Sequence, residues 1–236
     1  MANGISKTQI DQLGGRLRKG QVTESDLRQL DDYRLTFGEA YRSVVLKIKN
    51  KLGLEPSGRP SKSTSSIIEK LQRETIRLTQ AQDIAGCRVI VTDINEQERV
   101  VAALRGLFPA ASIVDRRAAP SYGYRAVHAI VEENGMTVEV QIRTTLQHLW
   151  AELSEKFSDV MDPAIKYGGG EGEVRELLLE RSGLVSRLER LELEMLAPGK
   201  SVTEEHRTEL EDLKVDMAKS LADLTSMAGR FSRRER

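Results

Sequence analysis

Between two stretches suited to β-strands, Tyr124 to Glu132 and Met136 to Thr144, the chain places Glu133-Asn134-Gly135. Asn-Gly accepts the positive φ angles of a tight hairpin turn, and no short sequence signals a hairpin more strongly. An antiparallel strand pair is therefore expected in the middle of the chain. Successive side chains on a strand point to opposite faces, so Glu139, Gln141 and Arg143 share one face of the second strand. Gly123-Tyr124-Arg125-Ala126-Val127-His128 brings an aromatic ring, a cation and an imidazole to the other.

The surrounding pattern is mixed. Cys87 to Val91 reads as a strand, Glu96 to Phe108 as a helix and Ala111 to Asp115 as a short strand. Leu146 to about Val160, with the only tryptophan, Trp150, reads as another helix. These elements make a mixed α/β core of roughly 80 residues. Upstream, Leu27, Leu30, Phe37, Tyr41, Val44, Ile48 and Leu52 recur at three- and four-residue steps. That spacing predicts one amphipathic helix capped by Thr23 and running to Leu52, with a shorter helix before it. Gly53 to Ser61 is turn-rich, and Ser63 or Ser65 can cap a helix containing Ile67, Ile68 and Leu71. Beyond Gly168-Gly169-Gly170 come two helical stripes: Leu177, Leu184, Leu188, Leu191 and Met195, then Leu210, Leu213, Met217, Leu221 and Leu224. A break at Ala197-Pro198-Gly199 separates them. They suit an antiparallel hairpin packed on the core, or a surface for self-association or a partner. The expected division is N-terminal helices at 1–52, a core at 53–165 and a C-terminal helical extension at 171–236.

At 236 residues the chain is long enough to bury a real core. Its 36 basic residues balance 36 acidic ones, so no global field points to nucleic acid or a membrane. The distribution is uneven, because residues 1–80 carry 15 Lys/Arg against 9 Asp/Glu. A basic N-terminal third can serve phosphates or can be a solvated helix face. The single Cys87 allows no intramolecular disulfide and suits a reducing compartment. No signal-like apolar segment follows Met1, and no apolar run approaches about 18 residues. A soluble, cytoplasmic protein without a membrane partner is expected.

Asp83, which opens Asp83-Ile84-Ala85-Gly86-Cys87-Arg88, and Glu139 are the two best candidate metal carboxylates. An acidic pair that can share a divalent cation, beside cations and a flat ring, suits phosphoryl transfer onto a nucleotide. Each piece also has a blander reading. A carboxylate ahead of a strand more often caps a helix or pairs with a cation, and a hairpin glutamate is more often solvated. Other motifs fall away. No Gly-Lys-Ser/Thr follows Gly168-Gly169-Gly170, and Pro198-Gly199-Lys200-Ser201 has Glu194 where a Walker loop needs glycine. His148 and His206 lack partners at zinc-ligand spacing.

In order along the chain, Asp83-Ile84-Ala85-Gly86-Cys87-Arg88, Gly123-Tyr124-Arg125-Ala126-Val127-His128 and Glu139-Val140-Gln141-Ile142-Arg143-Thr144, followed by Trp150-Ala151-Glu152-Leu153, resemble the synthetase domain of the RelA/SpoT family. These are the pyrophosphokinases that make the alarmones pppGpp and ppGpp. Lys62 to Lys70 is similar to the family's basic ATP-binding segment, so the resemblance covers about residues 59–157. It implies an α+β fold: a mixed-sheet nucleotidyltransferase-like core flanked by N-terminal helices and a C-terminal helical hairpin. It also implies a reaction in which an acceptor 3′-hydroxyl attacks the β-phosphorus of ATP, the β,γ-pyrophosphate is transferred and AMP leaves.

By residue-wise transfer, Asp83 and Glu139 hold Mg²⁺, and Glu139 can take the hydroxyl proton. Arg59 and Arg88 resemble the arginines that sandwich adenine, while Lys62 and Lys70, with Ser66 beside them, meet the ATP phosphates. Tyr124 resembles the tyrosine that stacks on the acceptor base; His128 and Gln141 line the same pocket, with Arg125 and Arg143 as nearby cations. There are two departures. Arg59-Pro60-Ser61-Lys62 is one residue longer than the family's Arg-x-Lys, and Leu153-Ser154-Glu155-Lys156 stands where many alarmone synthetases have Leu-Glu-His-Lys.

With no His-Asp hydrolase segment upstream, the resemblance implies a small, synthesis-only member that uses ATP and either GDP or GTP. The family also has a toxic branch that pyrophosphorylates the 3′ end of tRNA. For that substrate, Arg16, Arg18 and Lys19, or Arg233, Arg234 and Arg236, would supply phosphate contacts. A homo-oligomer and a neutralising antitoxin protein are further family expectations. A catalytically inert binding module is the alternative from another class.

Overall fold

In a computed structural model, residues 6–197 and 202–234 are described. Three helices come first: α1 (Lys7–Arg18), α2 (Glu24–Leu35) and α3 (Gly38–Leu52). They are followed by β1 (Ser57–Arg59), α4 (Thr64–Arg73), β2 (Ala85–Val91), α5 (Ile94–Leu107), β3 (Ser112–Asp115), β4 (Val127–Glu133), β5 (Met136–Thr144) and α6 (Thr145–Val160). The long helices α7 (Gly172–Leu196) and α8 (Glu204–Arg234) complete the chain. The fold is α+β, a mixed five-stranded sheet in the order β1-β2-β5-β4-β3, preceded by N-terminal helices and followed by a C-terminal helical hairpin. No helix among the described residues is long and apolar enough to cross a membrane.

Local chemistry explains most of these boundaries. Asn134 and Gly135 adopt φ 52° and 74°, the left-handed pair that a two-residue hairpin turn requires. Ser6, Thr23 and Thr144 each accept a hydrogen bond from the backbone three residues on, and Gln9, Asp26 and Gln147 reciprocate, closing capping boxes on α1, α2 and α6. On β2, Ala85, Cys87, Val89 and Val91 are buried; on β5, Val138, Val140 and Ile142 are. The alternation leaves Gly86 and Arg88 on the opposite face of β2, and Glu139 and Gln141 on the opposite face of β5.

Three boundaries and one buried face differ from the sequence pattern. The helix predicted from Thr23 to Leu52 is two helices, because Thr36 turns its hydroxyl back onto the Tyr33 carbonyl at 2.6 Å and its N–H takes the same acceptor. That tightened turn ends α2. The turn-rich segment contains a strand: β1 pairs antiparallel with β2, Gly58 opposite Cys87. Strand β4 begins at Val127, since Tyr124 belongs to a tight turn. On α7 the buried face is shifted rather than replaced: Leu188 of the expected stripe is buried and Met195 packs on the core, but Val174, Leu178, Ser182, Val185 and Glu189 are also inside, Leu177 and Leu184 are half-buried and Leu191 is exposed. Residues Pro198 to Ser201, most of the expected break between the last two helices, and Arg236 lie outside the described residues, as do the side chains of Arg233 and Arg234.

The chain divides into two compact units. The first comprises 1–89, 103–113 and 128–141; the second comprises 90–102, 114–127 and 142–236. In the second, α6, α7 and α8 share a core around Trp150, Leu153, Leu178, Val185 and Leu221.

Candidate active site

In the first unit, Asp83 lies just ahead of β2 with one ammonium on each oxygen: Lys62 Nζ on Oδ2 at 2.7 Å and Lys70 Nζ on Oδ1 at 2.8 Å. Lys62 is fixed by its own backbone, whose N–H donates to the Ile84 carbonyl. Ser63 caps α4, accepting from Ser66 N–H at 3.3 Å and donating its hydroxyl to the Ser66 hydroxyl at 2.7 Å. Ser66 and Lys70, four residues apart, share a face of that helix. Burial alone would raise the Asp83 carboxyl, but the Lys62 and Lys70 charges prevail and hold it down at about 2. Asp83 is therefore ionised throughout the neutral range.

Glu139 is held by neighbours of another kind. His128 Nδ1 lies 2.9 Å from Oε1, and Gln141 Nε2 donates to Oε2 at 2.8 Å. Burial again works against the charge; the His128 and Gln141 contacts outweigh it and lower the pKa, while the charge on Asp83 pushes the other way. The two carboxylates thus feel one another. Burial and the Glu139 charge push the Cys87 thiol up to about 12, which removes it as a nucleophile.

Strand pairing settles where Arg59 points. Arg59 stands opposite Gly86 and Ser57 opposite Arg88 in the antiparallel ladder, and opposed residues project to the same face. Arg59 and Arg88 are therefore diagonal neighbours on one face of the ladder, their backbones roughly 7–8 Å apart. The extra residue in Arg59-Pro60-Ser61-Lys62 is taken up between β1 and the cap of α4 without moving Arg59 off this face.

Two further arginines, for which the sequence carries no local signal, hold α4 from outside. Arg34 donates to the Thr64 hydroxyl at 3.0 Å and the Ser61 hydroxyl at 3.3 Å, at the start of the helix. Arg18 donates to the carbonyls of Leu71, Glu74 and Ile76 at its end. Arg16 is paired with Asp26 at 2.7 Å. Of the three N-terminal cations expected to meet tRNA phosphates, Arg16 and Arg18 are thus engaged internally; Lys19 is exposed.

Also in the first unit, a cavity of about 460 Å³ is lined by Tyr33, Phe37, Met136 and Thr137 among others, but by neither Asp83 nor Glu139.

In the second unit, Arg143 donates to the Tyr124 hydroxyl at 3.0 Å, and its guanidinium carbon lies over the ring, 5.0 Å from the centroid. Arg125 faces Glu189 at 3.6 Å. Ser154, which stands at the family's acidic position, is buried, and Glu155 is exposed.

Among the described residues, no group of three or more His, Cys, Asp or Glu side chains could hold a metal ion alone. Two interacting carboxylates are an incomplete donor set. Such a set fits Mg²⁺, which takes one or two carboxylates and completes its shell with substrate phosphates and water.

Residues 58–158 match the family model described as the region found in RelA/SpoT proteins. Over 111 residues the chain is 38% identical to an uncharacterised protein of Mycobacterium tuberculosis, covering 45% of this chain and 41% of that one. Over 147 residues it is 31% identical to the GTP pyrophosphokinase YjbM of Bacillus subtilis, covering 54% of this chain and 65% of that one. The chain thus spans less than two thirds of each of these curated relatives. Among solved structures, the small alarmone synthetase 1 from Bacillus subtilis is similar at TM-score 0.53 and 27% identity, over 70% of this chain and 96% of that one. The structure of that synthetase bound to its product pppGpp gives TM-score 0.56 at 23% identity, over 71% and 96%.

Proposed function

We propose, from the premise that residues 58–158 of this chain are a RelA/SpoT-family synthetase domain, that the protein is an ATP-dependent pyrophosphokinase with GDP or GTP as acceptor. The product would be (p)ppGpp, with AMP released. The observation that carries this reading is the grouping of Asp83 with Lys62 and Lys70, in the same unit as Glu139 and its partners His128 and Gln141. Similarity to a GTP pyrophosphokinase and to a small alarmone synthetase supports the choice of acceptor.

In this reading, adenine enters between Arg59 and Arg88, and the phosphates draw Lys62 and Lys70 away from Asp83. Ser66 and the amino end of α4 receive phosphate oxygens. Asp83 and Glu139 would hold Mg²⁺, which when bound neutralises charge on the phosphates. His128 and Gln141 orient Glu139, whose carboxylate receives the proton of the acceptor 3′-hydroxyl. The bond from that oxygen to the β-phosphorus forms as the bond to the α,β-bridging oxygen breaks, so the pyrophosphoryl group moves and AMP leaves. Tyr124 supplies its ring to the acceptor base, with Arg143 over one ring face. The internal use of Arg16 and Arg18 lessens the cation supply for tRNA and favours a free guanosine nucleotide.

Glu139→Gln and Asp83→Asn test the assignment, since each keeps shape and removes a charge. AMP formation should fall by several orders of magnitude, roughly 4 kcal/mol or more, while circular dichroism stays unchanged. A folded Glu139→Gln protein with near wild-type turnover would overturn it.

A further inference from the structure

Helix α7 lies wholly beyond the family-matched residues, yet its buried face is partly polar. Ser182, Glu189 and Glu192 are buried alongside Leu178 and Val185, at helical spacing on one face. The Leu178 carbonyl accepts from Trp150 Nε1 at 2.8 Å, and Ser182 Oγ donates to the Gly123 carbonyl at 2.6 Å. Glu189 Oε1 accepts from the Thr144 hydroxyl at 3.0 Å and the Gln147 amide at 2.7 Å, while Oε2 faces Arg125. Gly123 and Arg125 are the residues on either side of Tyr124.

The turn from Ser121 to Tyr124 is one that the local sequence does not favour. Tyr124 N–H donates to the Ser121 carbonyl at 2.9 Å, and the two central residues have φ 53° at Tyr122 and 89° at Gly123. Gly123 suits that angle and Tyr122 does not; a non-glycine residue there persists only where its surroundings hold it. The surroundings do so from two sides. A Cβ at position 123 would lie 2.7 Å from the Trp150 ring and 3.2 Å from Ser182 Cβ. Below the ring of Tyr122, Gly168 has no room for a Cβ of its own.

We propose that Ser182 and Glu189 are positioning residues for Tyr124. By gripping the carbonyl before it and the side chain after it, α7 fixes the Tyr122–Gly123 turn and so sets the plane on which the acceptor base stacks. Acceptor selection then depends on a helix outside the synthetase region. The inference rests on the acceptor role given to Tyr124 above.

The test is Ser182→Ala, with ATP and acceptor varied separately and amide exchange followed in the same protein. The acceptor KM should rise about tenfold, the ATP KM should stay within about twofold, and exchange should quicken at 121–125 and not in α4. Ser182→Thr, which keeps the hydroxyl, should recover most of the acceptor affinity, and Glu189→Gln should raise the acceptor KM in the same direction. Because the effect is routed through the ring, Ser182→Ala should add nothing to the acceptor KM of a Tyr124→Ala protein. Equal rises in both KM values, or full additivity in that background, would overturn the proposal. Should Tyr124→Ala alone leave the acceptor KM unchanged, the acceptor role of Tyr124 falls. Quickened exchange at 121–125 in Ser182→Ala would still uphold the hold of α7 on the turn, and unaltered exchange would refute it.

Discussion

Asp83 carries two ammonium groups, the same positive charge that one divalent cation would bring, so its carboxylate stays ionised before any substrate arrives. That arrangement predicts a pH dependence. The folded-state pKa of about 2 lies below the ordinary 3.8, so the stabilisation is fully present above about pH 4–5 and is lost as the pH falls towards 2. It amounts to roughly 2 kcal/mol. Urea unfolding between pH 6 and pH 2.5 should show this slope in wild type, and Asp83→Asn should flatten it; an unchanged slope in the variant means the lysines do not depress the carboxyl. Tyr124 allows a second residue-scale test. Removing the ring in Tyr124→Ala should weaken acceptor use by roughly 10- to 100-fold, the range for base stacking on an aromatic. Tyr124→Phe keeps the stack and loses the hydroxyl that accepts from Arg143, which should cost no more than about tenfold. Equal losses in the two variants would assign the effect to the hydroxyl.

At the scale of elements, α4 is held at both ends by helices that precede the family-matched region. Arg34 ties its start to α2, and Arg18 satisfies carbonyls at its end that the helix cannot pair internally. Since α4 carries Ser66 and Lys70, Arg18→Ala should lower stability by about 2–3 kcal/mol and raise the ATP KM, whereas Lys19→Ala, at an exposed position, should alter neither. If both variants behave alike in urea unfolding and ATP titration, the clamp has no functional weight. This role was not legible in the sequence. Arg18 meets Leu71 across 53 residues of chain, and nothing in its own neighbourhood marks it as different from a solvated cation. The α7 stripe is a related case. Leucine spacing predicts which positions are apolar, but burial follows the partners, and Ser182 and Glu189 go inside because buried carbonyls, hydroxyls and amides await them.

Across the whole chain, the elements fixed by short-range chemistry were the readable ones. Asn134-Gly135 specifies its hairpin and Thr23 its cap, while alternation on β5 places Glu139 and Gln141 on one face. Features made by pairing over distance were not readable. β1 is three residues long, and only its ladder with β2 sets Arg59 diagonal to Arg88. The candidate site divides the same way: motif order picks out Asp83 with Lys62 and Lys70, Glu139 with His128 and Gln141, and Tyr124 with Arg143, but carries no sign of the outlying Arg18, Arg34, Ser182 and Glu189. The identity of the acceptor decides the proposed reaction most directly. Purified protein should be incubated with ATP labelled at the γ-phosphate, Mg²⁺ and, in separate reactions, GDP, GTP, ATP or bulk tRNA. Label should move to GDP or GTP, in step with AMP and abolished by Glu139→Gln. Label on tRNA with both guanosine nucleotides unlabelled, or no transfer to any acceptor, would contradict it.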